Sequence, residues 1–199
     1  MVNKWLLIGI VGALLTGAAL ALSFVGQSSM SVMEFSHLYG SAEYPVQYSK
    51  RLGEYEVKVK YRPLEYHVAR FSRNDKQIYD SLMEVNDSII FLDFKVAGLR
   101  QNSPLFEGRQ ELLEERLMYF LTHITEDLVL SDSHGTYTLL NHSLERNYNI
   151  TNALNLQLAF KKPQERSFTF TFNDRMLNIG KVNFMVNERD LEKLPHIKF

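Results

Sequence analysis

Five side chains able to do chemistry crowd into the stretch from residue 123 to residue 145: His123, Asp127, His134, His142 and Glu145. Imidazole nitrogens and carboxylate oxygens are zinc ligands, and a His–Asp pair is what a nucleophilic serine needs beside it. Ser131 and Ser133 stand in the same stretch. The spacing argues against both chemistries. No two histidines sit at i, i+4 around a glutamate as in H-E-x-x-H, and neither serine lies in a G-x-S-x-G context. An envelope hydrolase or metalloprotein built on His123, Asp127 and His134 is therefore the alternative, and polar residues around a hairpin are the default. Asp93, between Leu92 and Phe94, is a carboxylate inside an apolar run. Buried, its pKa would rise and suit acid–base work; otherwise it faces solvent in line with Lys95. The chain has no P-loop, G-x-G-x-x-G or EF-hand loop, and no cysteine for thiolate chemistry. No catalytic residue, cofactor or metal ligand is assigned, and the reading leans away from an enzyme. Asn86, Asn141 and Asn149 head N-x-S/T triplets that imply little on their own.

The stretch that decides where such groups would stand is Trp5 to Val25, WLLIGIVGALLTGAALALSFV, which carries no charge. About 20 apolar residues cross a hydrocarbon core as a helix. Lys4 precedes it, and the next basic residues are Lys50 and Arg51. The positive-inside bias then places Ser28 to Phe199 outside the cytoplasm. Gly9, Ala13, Gly17 and Ala21 recur every fourth residue, a smooth stripe against which another membrane helix could pack. Ala19-Leu20-Ala21 also fits a cleavage site, so a signal-anchor and a cleaved signal peptide both stand. The expected organisation is a transmembrane segment over residues 1–26, a tether over 27–51, and an extracytoplasmic β-rich domain over 52–199.

Hydrophobic residues make up 45% of the chain and aromatics 12%, enough for a packed core and too much for a disordered tail. A net charge of −1 offers no basic field, which excludes nucleic acid as a partner. Alternation then marks the strands. Tyr55, Val57, Val59 and Tyr61 alternate with Glu56, Lys58, Lys60 and Arg62, and Pro63 stops that strand. Short helices are expected over Leu64–Phe71 and Asn74–Glu84, the second opened by Ser72 and Asp75, with Ile78 and Leu82 sharing a face. Ser88–Val96 reads as a central strand, and Gln101–Glu107 as a loop. A helix runs from Arg109 to about Leu117. Asp127–Ser131 and Thr136–His142 flank a hairpin turn at Asp132–Gly135. Ala153–Lys161, Ser167–Phe172 and Lys181–Asn187 complete the set. Phe168, Phe170 and Phe172 alternate with threonines and are expected in the core. The fold expected is mainly β: an antiparallel β-sandwich (Ig-like) with two or three short helices, preceded by one transmembrane helix.

Four pieces carry a likeness: EYEVKVKYRPLEYHVAR, QIYDSLMEVNDSIIFLDFKV, ERLMYFLTHITEDLVLSDSHGTYTLLNHSLERNYNI and the closing DLEKLPHIKF. Through them the span from about Arg51 to Phe199 resembles a family of uncharacterised Bacteroidetes envelope proteins, small and with an N-terminal membrane signal, often a lipoprotein one. The resemblance implies an envelope location and no assigned activity. The absence of cysteine departs from the lipoprotein-type members. The expected function is a membrane-anchored extracytoplasmic binding or scaffold domain, an accessory subunit of a cell-envelope complex. Its partners are the inner membrane, through Trp5 to Val25, and a protein met through Gly9, Ala13, Gly17 and Ala21. The body lies in the periplasm, or is exported after signal cleavage.

Overall fold

The computed structural model describes residues 29–73, 75–99, 110–145 and 153–198. The expected membrane segment Trp5–Val25, with its small-residue stripe, lies outside them, as do the loop over Gln101–Glu107 and the triplet at Asn149. Among the described residues no helix is long and apolar enough to cross a membrane.

The protein is mainly β, with antiparallel sheets and a few helices. Strands β2 (Gln47–Leu52), β3 (Tyr55–Arg62) and β4 (Ile89–Gly98) form one half of a five-stranded sheet, and β7 (Leu139–Leu144) and β8 (Ala153–Lys161) form the other, in the order β2-β3-β4-β8-β7. A four-stranded sheet runs β10-β9-β5-β6, from β5 (Leu128–Asp132), β6 (Gly135–Tyr137), β9 (Phe168–Asn173) and β10 (Lys181–Val186). Gly53, with φ of 59°, turns β2 into β3 across the Leu52–Tyr55 pair, a backbone region that a Cβ resists.

The period of two explains the layers. In the five-stranded sheet Val59, Phe94 and Leu156 share one row on the inner face, and Tyr61, Leu92 and Leu158 the next. In the four-stranded sheet Leu130, Phe170 and Phe184 share a row, and Leu128, Phe172 and Val182 another. These two apolar faces belong to one core, and Phe94 meets Phe170 and Phe172 with ring centroids 5.5 and 5.1 Å apart. Phe168, Phe170 and Phe172 are buried, as expected. Each full burial of such a ring is worth about 2–3 kcal/mol.

The stretch read as a tether is folded over its described part. After β1 (Ser29–Ser31), Ser31 and Glu34 form a capping box that starts helix α1 (Val32–Gly40). Phe35, Tyr44 and Val46 from this stretch are buried in the main core. Strand β1 pairs in parallel with β11 (His196–Lys198), so the first described residues are strapped to the last ones.

Helix α2 (Leu64–Phe71) follows Pro63, as expected. Helix α3 (Lys76–Asn86) is capped by Asp75 alone, whose carboxylate accepts from the N–H groups of Gln77 and Ile78, while Ser72 closes α2 instead. The face of α3 differs too. Tyr79 packs on Val68 and Ala69, with Leu82 beside them, and Ile78 is left exposed because the larger ring takes the inward position. Helix α4 (Gln110–Met118) runs on through a π turn (Tyr119–His123) and a 3-10 turn (Ile124–Glu126), which bury Tyr119, Phe120 and Ile124. Thr136–His142, expected as one strand, breaks at Thr138: β6 belongs to the four-stranded sheet and β7 to the five-stranded one. Helix α5 (Glu188–Leu191) is a single turn.

Candidate functional site

The outer face of the five-stranded sheet is polar by alternation. Register places Gln47, Lys60, Asp93, Gln157 and Ser143 in one row across it, and Arg62, Phe91, Ala159 and Asn141 in the next. Solvent does not cover the middle of this face. Phe35 and Tyr39 of α1, Tyr66 of α2 and Tyr44 form an aromatic group, with Tyr39 centroids 5.0 Å from Tyr44 and 5.1 Å from Tyr66. The Lys60 ammonium lies 4.7 Å from the Tyr39 centroid and donates to the Tyr39 carbonyl.

Under that lid Arg62 is only 4% exposed. A buried guanidinium needs partners, since its desolvation costs several kcal/mol. One Nη2 proton goes to Asp93 Oδ1, and Nη1 donates to Gln157 Oε1 at 3.2 Å. Asp93 accepts from the Tyr39 hydroxyl as well, and Gln157 Nε2 donates onward to Glu145 at 3.2 Å. Burial, then the Asp93 carboxylate, pushes the Tyr39 phenol far above its ordinary pKa. Burial works against the Arg62 charge too, but the pull of Asp93 and Tyr39 is larger, so its pKa rises.

The network is one donor short of complete. Arg62 Nε has no partner, and neither does His67 Nδ1; they are the buried side-chain nitrogens without one among the described residues. Both residues line the same cavity of about 160 Å³, with Phe91, Asn141, Ser143 and Gln157. His67 stacks on Phe91, ring centroids 3.7 Å apart at 11°. Burial, then the charges of Arg62 and Arg70, lowers its pKa to about 4. A neutral imidazole can offer either a donor or an acceptor. Two residues with unmet buried nitrogens on one cavity are an arrangement that a bound group would complete.

The residues singled out from sequence are distributed differently. Asp93 is on the outer face in line with Lys95, but it is neither buried in the core nor turned to solvent: it is 29% exposed, paired with Arg62 and covered by Tyr39. His142 and Glu145 border this site, His142 on the cavity wall with its Nε2 2.9 Å from the Leu121 carbonyl oxygen. Asp127 is elsewhere, buried, and accepts from the Tyr119 hydroxyl at 2.6 Å and Arg175 Nε at 2.8 Å. His134 sits in the β5–β6 turn, its N–H donating to Asp132, and Ser133 donates to Glu165. His123 is exposed at the end of the π turn. Thus His123, Asp127 and His134 do not assemble, and no three His, Asp or Glu side chains among the described residues gather to hold a metal ion.

Arg62, His67 and Tyr39 escaped sequence reading. Arg62 stood in the polar half of an alternating strand, the half that is ordinarily wet. No family model, curated protein or solved structure matches the chain.

Proposed function

We propose that this protein is a membrane-anchored extracytoplasmic binding domain, an accessory subunit of a cell-envelope complex, which engages its partner through the outer face of the five-stranded sheet. The observation that carries the reading is the pair of buried, unmet nitrogens of Arg62 and His67 at one cavity. A group that exists to stabilise the fold ends with its donors satisfied. This one ends with a donor held in place by Asp93 and Gln157 and pointed at nothing in its own chain.

The anchor in this reading is Trp5 to Val25, and the envelope setting is the one implied by the resemblance to Bacteroidetes proteins. The charge distribution around that segment supports a periplasmic body. The body itself is read as an Ig-like β-sandwich, in the sense of two facing antiparallel sheets whose connections pass from one to the other. The stripe Gly9, Ala13, Gly17, Ala21 supplies a second, intramembrane contact with a helical partner.

Protease accessibility of the body in intact spheroplasts, followed by crosslinking of the full chain in its own cells, tests this. Exterior cleavage is expected, with a discrete crosslinked species that Gly17→Ile weakens and Arg62→Met removes. A body sheltered from protease, or a crosslinking pattern unchanged by Arg62→Met, overturns it.

A further inference from the structure

At one end of the two sheets β3 stops before Pro63, β4 begins at Ile89, and residues 162–167 cross from β8 to β9. That end is not sealed. A hollow of about 310 Å³ opens there, within the range of about 300–1,000 Å³ typical of ligand sites. Its core side is apolar: Ile90 and Phe168 are buried, and Leu191 and Leu194 pack against the same core. Pro63, Pro163 and Pro195 line it too, three of the chain's five prolines. Proline fixes φ and has no N–H, so these walls are stiff and present ring carbons in place of donors. A stiff hollow loses little freedom when a ligand enters.

One polar group of the lining is unused. The hydroxyls of Tyr39, Tyr44, Tyr48, Tyr66, Tyr119 and Tyr137 each donate to a partner. Tyr61 lines the hollow, and its hydroxyl has no partner among the described residues. The fully enclosed side-chain atoms without a partner are Arg62 Nε and His67 Nδ1, so the Tyr61 oxygen is one that solvent or a ligand can reach. Burial, then the Glu65 charge, pushes its pKa up to about 12, against a smaller opposing effect of Arg166. Glu65 and Arg166 both belong to this hollow, so the hydroxyl end of the ring is the end that meets it. The charges at the mouth balance. Lys162 pairs with Asp87, Arg166 with Glu188, and Glu165 accepts from Ser133. With Glu65 these make two cations and two carboxylates, and His196 adds no charge when neutral, so there is no net field to select an ion.

We infer that the hollow binds a neutral aromatic ring with one hydroxyl, which shares a hydrogen bond with Tyr61. Flat walls of proline and aromatic rings suit a flat guest, and a phenol can donate to the Tyr61 oxygen or accept from it. The site is separate from the outer-face cavity and stands whether or not that face meets a partner.

The test is methyl NMR of the full chain in detergent micelles at about pH 8, where imidazole is neutral. The probes are p-cresol, toluene, tyramine, p-toluate and N-acetyltyrosinamide. Saturable p-cresol shifts are expected at Ile90, Leu191 and Leu194, with a Kd of about 1 mM or below, and none at Val96 near the far end of β4. Toluene should bind about tenfold more weakly, and Tyr61→Phe should erase that difference. Leu194→Trp fills the hollow and should abolish binding; if that variant does not fold, Tyr61→Phe, which removes one oxygen, decides alone. N-acetyltyrosinamide binding as tightly as p-cresol identifies a tyrosine side chain as the source, and its exclusion identifies a free small molecule. Absence of saturable shifts, a Tyr61→Phe variant that still prefers p-cresol to toluene, or tyramine or p-toluate binding more tightly than p-cresol would each overturn the inference.

Discussion

Tyr39, Asp93 and Arg62 repeat, on the outer face of the five-stranded sheet, the three side-chain types that Tyr119, Asp127 and Arg175 bring together beside the four-stranded one. In the second group the carboxylate is buried and the guanidinium faces water, 54% exposed. Arg175 Nε donates to Asp127 and Nη2 to Glu126 at 2.9 Å, and Tyr119 completes the Asp127 shell. That group is a closed latch: it fastens the turn after α4 to the β9–β10 connection. In the first group the guanidinium is buried and the carboxylate partly wet, and Nε is left over at a cavity. The same chemistry is closed in one place and open in the other. What separates structure from function here is which donor remains unmet, and not how strongly the group is paired.

The largest effect that would sharpen this contrast is at Asp93. Asp93→Ala strands a buried guanidinium and should lower unfolding free energy by about 3–4 kcal/mol in chemical denaturation. Asp127→Ala strands the buried Tyr119 hydroxyl, while Arg175 can turn to solvent, and should cost about 2 kcal/mol. If Asp127→Ala were the costlier change, the assignment of the buried charge to the outer face would be wrong.

Next comes a pH effect confined to the open group. The pKa of His67 is about 4 in the folded state against 6.5 for a free imidazole. The unfolded chain therefore takes up a proton first, so stability is full above pH 6.5 and declines as pH falls toward 4. The decline should be about 2 kcal/mol, less than the whole shift implies because the ring is only half-buried. His67→Phe keeps the stack on Phe91 and should flatten that part of the stability–pH curve. The smallest effect is at Arg175→Met, about half that of Asp127→Ala, because the buried Asp127 carboxylate loses its cation but keeps the Tyr119 hydroxyl, and the exposed side of the pair is open to water.

How much of this was legible in the sequence differs between the same two layers. The strands could be read because alternation writes burial directly into residue order: Val57, Val59, Leu154, Leu156, Phe168 and Phe170 all face inward as their spacing implies. Helix α1 was hidden although its capping box, Ser31 and Glu34, is a local signal. The stretch around it is too short in periodicity and too rich in serine to stand out from a linker. The outer-face network was out of reach for a different reason. Its partners lie 31, 54 and 95 residues apart along the chain, so no window contains Arg62 with Asp93, Tyr39 with Asp93, or Arg62 with Gln157. Alternation says that Lys60 and Arg62 share a face; it does not say that α1 and α2 will cover it. The cluster from His123 to Glu145 erred in the opposite way, since closeness in sequence put together residues that a helical turn and two sheets then separate.

The central claim is that the outer face of the five-stranded sheet is the surface that meets a partner. Asn141 stands exposed at the edge of its cavity, and Met185, 61% exposed, stands on the outer face of the other sheet. A photo-crosslinking residue installed at each position of the full chain, in its own cells, tests the claim most directly. A single discrete adduct from position 141 that disappears with Arg62→Met, and none from position 185, is the expected result. Equal adducts from both positions, or an adduct only from position 185, would contradict it.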